Sequence, residues 1–396
     1  MILAVYGYQG LVAGFAVTAL PNWLAAQGAS LAEVGAYLAL TGLPWTVQPL
    51  WGPVVDRFGG SRLGARRAWV LAGLAGALAC LAALPLAGGS LHGIGLVLLA
   101  HNAFAALVDT AMDGMVIDRV PEGRLGQATA LTRAGFTGGM ALGAALFAWA
   151  IPALGLETAA RLLLAIAAAA AALPLLVREG EAPGPAQVHP GPTLGQMMRH
   201  LGRELRRPAV LALAALCITV EFAVSAFGLR LSVALVQEGG WEAAELSRLQ
   251  GGLALLGGTA GALAVAAWVD RAGPARAVVA LLGASAVCHA AAGVLLAGPP
   301  WAPAQALALA LSALSPALFF VALAPAVMLA SRGEAAATRF TLFMASLNLG
   351  SIAGAAAAGR IGAWLDPWQM GLAAGVVLAA CATAAASPRL PIRRPA

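Results

Sequence analysis

The chain has 396 residues, of which 61% are hydrophobic and only 10% are charged. A soluble domain carries about a quarter charged residues, so this composition excludes an ordinary water-soluble protein and favours the lipid bilayer as its surroundings. The formal net charge is +6, but the arginines stand between long apolar runs. That placement is typical of the orienting loops of a membrane protein rather than of a nucleic-acid surface.

Long apolar runs follow one another along the whole chain. A spanning helix needs about 20 mostly apolar residues, and runs of this kind predict about twelve helices. They lie at 2–25, 31–54, 68–88, 91–118, 125–151, 157–177, 208–236, 243–268, 277–298, 302–330, 337–363 and 366–386. Lipid offers no hydrogen-bond partner to an unpaired strand edge. The sequence therefore predicts an all-α membrane protein whose first helix is not a signal peptide, because residues 1–24 lack a basic start.

A polar gap at 178–207 separates the predicted helices into two sets of six. Its first half is rich in proline and glycine, which is typical of a flexible linker. Its second half, from Thr193, has the pattern of a basic amphipathic helix on the membrane surface. The sequence therefore predicts an N-terminal six-helix bundle at 1–177, a cytoplasmic linker at 178–207 and a C-terminal six-helix bundle at 208–396.

Loops rich in arginine alternate with loops that are nearly free of it. The rich loops contain Arg57/Arg62/Arg66/Arg67, Arg119/Arg124, the linker arginines, Arg271/Arg276, Arg332/Arg339 and Arg389/Arg393/Arg394. By the positive-inside rule these loops are cytoplasmic. Both termini then face the cytoplasm, and the expected location is the inner membrane of a bacterium.

An eight-residue pattern occurs twice. VDRFGGSR begins at Val55 and VDRAGPAR begins at Val269, 214 residues later, and each follows the second helix of its half. Two related six-helix halves are the layout of a transporter that works by alternating access. We predict that the two segments occupy equivalent cytoplasmic positions.

The first copy lies in the stretch PLWGPVVDRFGGSRLGARRAW, which resembles the loop signature G-x-x-x-D-R-x-G-x-R-R of the major facilitator superfamily. The matching residues are Gly52, Asp56, Arg57, Gly59, Arg62, Arg66 and Arg67. The resemblance implies a pseudo-symmetric twelve-helix transporter whose loop latches the cytoplasmic side while the cavity faces outward. Asp118 is the expected partner of Arg57 or Arg62, and Asp270 and Arg271 belong to the second copy. The alternative is that the arginines only set the topology.

A narrower resemblance rests on LPWTVQPLWGPVVDR, LGARRAW and DTAMDGMVID. These segments are similar to the branch of muropeptide permeases, acetyl-CoA transporters and certain siderophore importers, although Gln48 stands where that branch often has a lysine. The resemblance implies proton-coupled import of a bulky polar solute. A drug or metabolite exporter on the same fold is the alternative.

Charged residues also occur inside the predicted membrane helices. At about 100° per residue, Asn102, Asp109 and Asp113 fall within about 40° of one another on the fourth helix. Arg133 of the fifth helix lies at a matching depth. Each such charge costs about 2.5–3.5 kcal/mol in lipid, so these groups must face a cavity or one another. A buried structural ion pair between Asp109 and Arg133 is one interpretation, and a site for solute or protons is the other.

Further candidates lie on other helices. Glu221 and Ser225 share a face of the seventh helix without a basic partner, which predicts a proton-carrying or substrate-binding role, since a dry environment favours a neutral carboxyl group. Several residues are candidates either for lining the cavity or for packing: Tyr8, Phe15, Asn22, Phe319 and Asn348. Glycines spaced four residues apart at 135/139/143, 257/261 and 350/354 are expected at the seam between the halves.

Other functional classes lack their patterns. No nucleotide-binding loop indicates ATP as the driving force. His92, His101 and His289 share no metal-ligand spacing, and the four cysteines stand alone in apolar runs. We therefore expect no metal, no cofactor and no nucleic acid, with a small-molecule substrate, protons and the bilayer as partners of a monomer. The rival class, an integral membrane enzyme, would need a charged catalytic loop or a metal-binding cluster.

Overall fold

In a computed structural model, the described residues are almost entirely helical, with no strand among them. They are residues 1–51, 54–55, 66–87, 90–119, 125–176, 195–196, 199, 202–203, 206–261, 264–265, 268, 271–330 and 336–387. The helices of this part of the chain are α1 (Ile2–Ala26), α2 (Leu31–Thr46), α3 (Arg67–Ala82), α4 (Leu91–Arg119), α5 (Leu125–Leu154), α6 (Leu156–Ala172), α7 (Pro208–Gln237), α8 (Ala243–Leu255), α9 (Pro274–Leu296), α10 (Ala302–Ala330), α11 (Ala336–Gly362) and α12 (Pro367–Ala386).

Within the described ranges, nine of these helices are long and apolar enough to cross a membrane. The predicted all-α membrane fold is confirmed, whereas twelve membrane crossings and cytoplasmic termini stay predictions. The predicted boundaries are close to the observed ones; for example, the predicted spans 91–118 and 208–236 correspond to α4 and α7.

The tryptophans mark the two edges of the bundle. All ten lie near helix ends or between helices, at positions 23, 45, 51, 69, 149, 241, 268, 301, 364 and 368. Tryptophan is enriched where a membrane meets water, because its ring is apolar and its N–H remains hydrated. This distribution is typical of a multi-pass membrane protein.

The second predicted helix is interrupted. It was expected over 31–54, but α2 ends at Thr46, a 3₁₀ turn follows at Gln48–Leu50, and the described residues Trp51, Val54 and Val55 are helical again. Pro49 disfavours the helical conformation of the residue before it, so the α-helix stops ahead of Gln48. The turn places the Gln48 side chain beside α4.

Helix α1 packs on α5 in the same way that α7 packs on α11. A Cβ atom added at Gly139 would lie 2.2 Å from the carbonyl oxygen of Gly7, and one added at Gly350 would lie 2.4 Å from that of Ile218. Gly350 follows Gly139 by 211 residues, and Ile218 follows Gly7 by the same number. The next turn repeats both contacts, Gly143 with Leu11 and Gly354 with Phe222. The two halves of the chain therefore contain the same helix pair.

This packing corrects one expectation. The glycines of α5 and α11 were expected at the seam between the halves, but they face α1 and α7 of their own halves. Small residues at this spacing require a close helix neighbour without specifying which one. The contacts between the predicted halves are instead made by α2 with α11 and by α5 with α8. Several described glycines approach the opposite half, namely Gly35 and Gly42 on α2, Gly251 on α8, Gly258 just after α8, and Gly359 and Gly362 on α11.

The residues 20–33, 229–250 and 355–369 lie at one end of the bundle, which we call the far end. Here the α7 side chains of Leu229 and Val233 are buried in the apolar core formed by residues 5–171. Apolar residues of 210–385 form two further cores. The division into domains at 177 and 208 stays a prediction.

Candidate functional site

The acidic residues of α4 face the first two helices. The Tyr6 hydroxyl on α1 donates a hydrogen bond of 2.7 Å to Oδ1 of Asp113. The Gln48 side-chain amide, in the turn after α2, donates a bond of 2.7 Å to Oδ2 of Asp109. The polar stripe predicted on α4 thus points into the bundle, and its acids are held by two uncharged donors.

Arg133 on α5 completes this group. Its guanidinium interacts electrostatically with the Asp109 carboxylate and with Tyr6. We call Tyr6, Gln48, Asp109, Asp113 and Arg133 the carboxylate site. Asp109 is half-buried, whereas Asp113 is exposed although it lies against α1. Within the described part of the chain, Arg133 is the cation beside Asp109 and no cation lies beside Asp113.

A second polar group, His101 and Asn102, lies about two turns before Asp109 on α4. The side-chain nitrogen of Asn102 donates a hydrogen bond of 2.7 Å to the carbonyl oxygen of Thr41, so the side-chain oxygen of Asn102 is free to accept one. His101 Nδ1 lies 2.9 Å from that oxygen and must donate. His101 Nε2 then accepts from the Tyr8 hydroxyl at 2.7 Å. This chain of uncharged hydrogen bonds joins α1, α4 and α2 and uses the neutral Nδ1–H tautomer of His101.

The predicted acid of the second half is placed differently. Glu221 and Ser225 are half-buried on α7. Among the described residues, no side chain donates a hydrogen bond to either. Glu221 also has no cation beside it there, and Cys217, one turn earlier, is the titratable group that its charge affects. The structure does not bring Glu221 into contact with the carboxylate site.

The proposed lining residues are scattered. Phe15 is fully buried and packs edge-on against Phe147, with ring centroids 5.2 Å apart. Phe319 is buried in the core of the second half. Asn348 on α11 donates 3.3 Å to the carbonyl oxygen of Trp45 and so connects the two halves. A substrate-lining role for these residues stays a prediction.

Asn22 lies at the far end, where the halves meet through uncharged groups. Its side-chain nitrogen donates hydrogen bonds to the Ser247 hydroxyl, at 2.9 Å, and to Oε1 of Gln250, at 2.6 Å. Gln250 donates in turn 2.7 Å to the Ser232 hydroxyl on α7. Gln237 donates 3.0 Å to the carbonyl oxygen of Ala25 and 2.8 Å to that of Ala29. We call these contacts the far-end network; they close this end of the bundle.

The model of the Major Facilitator Superfamily matches residues 2–288. The chain belongs to the Major Facilitator Superfamily. Membership places it among multi-pass membrane transporters of small molecules rather than among enzymes.

Solved structures share this superfamily fold. One is the nucleoside transporter NupG, with a TM-score of 0.71 and 13% identity over 97% of this chain and 96% of that one. Another is a POT family transporter in complex with a thioalcohol-conjugated peptide, with a TM-score of 0.73 and 11% identity over 96% and 94% of the two chains. At these identities the likeness concerns the fold.

Only part of the superfamily loop motif belongs to the described residues. The residues Gly52, Asp56, Arg57, Gly59, Arg62 and Asp270, and the side chain of Asp118, lie outside the described residues. Arg67 donates 2.9 Å to the carbonyl oxygen of Leu175, Arg66 immediately precedes α3, and Arg271 is exposed. The latch role of the motif and the equivalence of its two copies stay predictions.

Tyr6 and Gln48 are site residues that the sequence analysis did not select. Tyr6 lies about 160° around α1 from Tyr8, on nearly the opposite face, and Gln48 was noted only for replacing a lysine. Depth in the membrane could have indicated Tyr6. Tyr6 is near the start of α1 and Asp113 is near the end of α4, and these two helix ends are predicted on the same side of the membrane. Among the described residues, no three histidine, cysteine or acidic side chains gather as a metal site.

Proposed function

We propose that the chain is a secondary active transporter of the bacterial inner membrane that couples solute movement to a proton gradient by alternating access. The carboxylate site carries this proposal. It places two carboxylates, a guanidinium, a phenol and an amide between α1, α2, α4 and α5. Charges in such a position are costly in lipid and are typical of substrate and ion pathways.

The far-end network supports the alternating mechanism. It ties the predicted halves through side-chain amides and hydroxyls at one end of the bundle. Two rigid halves that rock about a central site must break such contacts once in each cycle. If the arginine-rich loops are cytoplasmic, the far end faces outward and the contacts close the outer side. A monomer with halves at 1–177 and 208–396, joined by the linker at 178–207, contains all the parts that this cycle needs.

A bulky polar solute is the substrate class that we favour, such as a muropeptide or a siderophore taken up by import. The α4 segment with Asp109 and Asp113, together with the segment around Gln48, resembles importers of such solutes. The two structural neighbours, a nucleoside transporter and a peptide-bound transporter, also handle polar organic molecules. Proton-driven export of a drug or metabolite is the second candidate, because the residues of a cavity do not fix the direction of transport.

Glu221 is the residue that we propose for proton coupling. It is half-buried, and in the described part of the chain it has neither a cation nor a side-chain donor beside it. A carboxyl group in this position changes its proton affinity when water enters or leaves, and coupling requires such a difference between the two facing states.

Glu221→Gln is expected to abolish accumulation driven by a pH gradient while sparing solute exchange, because glutamine keeps the shape but cannot titrate. The measurement is uptake of labelled muropeptides and ferric siderophores by proteoliposomes, with and without an imposed gradient. Glu157→Gln, which removes an exposed carboxylate of an ion pair with Arg161, is the control and should behave as wild type. Gradient-dependent accumulation by Glu221→Gln would move the coupling role to Asp109 or Asp113.

A further inference from the structure

The two carboxylates of α4 differ in how their charge is balanced. Asp109 has the Arg133 guanidinium beside it and accepts a hydrogen bond from Gln48. Asp113 is one turn further along the helix, and the group that holds it is the uncharged phenol of Tyr6. Among the described residues, its charged neighbour is Asp109, which carries the same sign. Within the described part of the chain, the carboxylate site therefore has more acidic than basic groups, and Asp113 is the acid without a cation beside it.

The geometry also leaves Asp113 available to a ligand. Tyr6 bonds Oδ1, and no hydrogen bond from a described residue reaches Oδ2. The side chain is exposed, while the Tyr6 ring that holds it is buried. One oxygen thus fixes the orientation of the carboxylate, and the other belongs to an exposed side chain and accepts no hydrogen bond from a described residue.

An uncompensated carboxylate within a helix bundle is stabilised by a cation that arrives from water. We propose that Asp113 binds a protonated amine of the transported solute, so that the substrate is a polar molecule carrying an ammonium group. This inference rests on the proposed function and narrows its substrate class. An ammonium group supplies up to three N–H donors, which match the free carboxylate oxygen, and the phenol of Tyr6 offers an acceptor beside it.

Asp109 is a poorer candidate for this role, although it lies in the same stripe. Its carboxylate already has a guanidinium and an amide donor, so an ammonium group would have to displace one of them. Glu221 is also acidic, but no described polar side chain orients it. Asp113 combines an unbalanced charge, an orienting hydrogen bond and exposure.

Calorimetric titration of the full-length protein in lipid nanodiscs tests this assignment without transport. The probes form two pairs that differ only by an acetyl group on nitrogen: glucosamine with N-acetylglucosamine, and alanyl-alanine amide with its N-acetyl derivative. The pH is held below the pKa of both amines. We expect the free amine of at least one pair to bind about tenfold or more tightly than its acetylated partner, the ratio that one hydrogen bond between charged groups supplies.

Asp113→Asn should erase this preference, because asparagine still accepts from Tyr6 but carries no charge. Glu157→Gln removes an exposed carboxylate elsewhere and should keep the preference. If Asp113→Asn does not yield folded protein, Tyr6→Phe replaces it and should weaken the preference by releasing the carboxylate. No preference for the amine in the wild-type protein, or an unchanged preference in Asp113→Asn, overturns the proposal.

The outcome separates this inference from the proposed function. Binding of the amine that depends on Asp113, in a protein without gradient-driven accumulation, supports the site and rejects proton coupling. Accumulation of solutes without any amine preference rejects the site and leaves the transporter proposal intact.

Discussion

Gly35→Trp is expected to open the far end of the bundle. Gly35 is buried on α2, and a Cβ atom placed there would lie 2.2 Å from the carbonyl oxygen of Ala355 on α11. No side chain fits this distance, so an indole ring must separate the two helices. Because α2 and α11 belong to opposite predicted halves, their separation disrupts the far-end network and favours the state that is open at this end.

Val233→Cys provides the reporter for this prediction. Val233 is 3% exposed and packs from α7 into the core of the first half. In a background with the four native cysteines replaced, its labelling by a membrane-impermeant maleimide should be slow and should accelerate on adding Gly35→Trp. A shift of ~1.4 kcal/mol toward the open state gives about a tenfold gain.

Gly283→Trp on α9 is the matched control, since a Cβ atom at Gly283 meets no other atom within 4 Å. It introduces the same side chain away from the contact between α2 and α11. An equal gain in both variants would indicate general loosening, and no gain in Gly35→Trp would mean that this contact does not hold the far end closed.

The second large effect is expected from Arg133→Met, which removes the guanidinium but keeps an apolar side chain of similar length. Asp109 would remain half-buried without its cation. Removing one partner of a fully buried ion pair costs about 3–5 kcal/mol, and because Asp109 is half-buried we expect the lower part of this range. Thermal unfolding of the purified protein should show a large loss of stability, and adding Asp109→Leu should restore much of it because the unpaired charge is then gone.

Arg161→Met is the control for this experiment. Arg161 pairs with Glu157 one turn earlier on α6, and their side chains are 65% and 61% exposed. An exposed pair of this kind contributes about 0–1 kcal/mol. If Arg133→Met is no more damaging than Arg161→Met, the structural role of Arg133 must be abandoned.

The fold was largely predictable because lipid leaves the backbone little choice. Apolar runs of sufficient length must be helical, so counting them located α4, α7 and α12 closely. The interruption after Thr46 reflects Pro49, and the length of an apolar run does not reveal such a local effect of proline. The stripe of Asp109 and Asp113 was also predictable, because helical periodicity alone places them on one face.

The partners of that stripe were less accessible to sequence reasoning. Periodicity shows which residues share a face but not which neighbouring helix the face meets. Matching depths led to Arg133, and the same argument applies to Tyr6, which is four residues from the start of α1, since Asp113 is six from the end of α4. The prediction that the α5 glycines lie at the seam between the halves was wrong for a related reason. Glycine spacing indicates that another helix packs closely, but it does not indicate which helix.

The far-end network is made of amides, hydroxyls and carbonyl groups, through Asn22, Gln237 and Gln250. Bonds between uncharged groups are not weakened by dissolved salt, which screens exposed charges within about 10 Å at 0.1 M ionic strength. The contribution of these bonds is thus set by geometry and packing instead of by ionic conditions. Any sensitivity of the far end to ionic strength then originates in its charged groups, such as the ion pair of Arg230 with Glu238, whose side chains are 10% and 57% exposed.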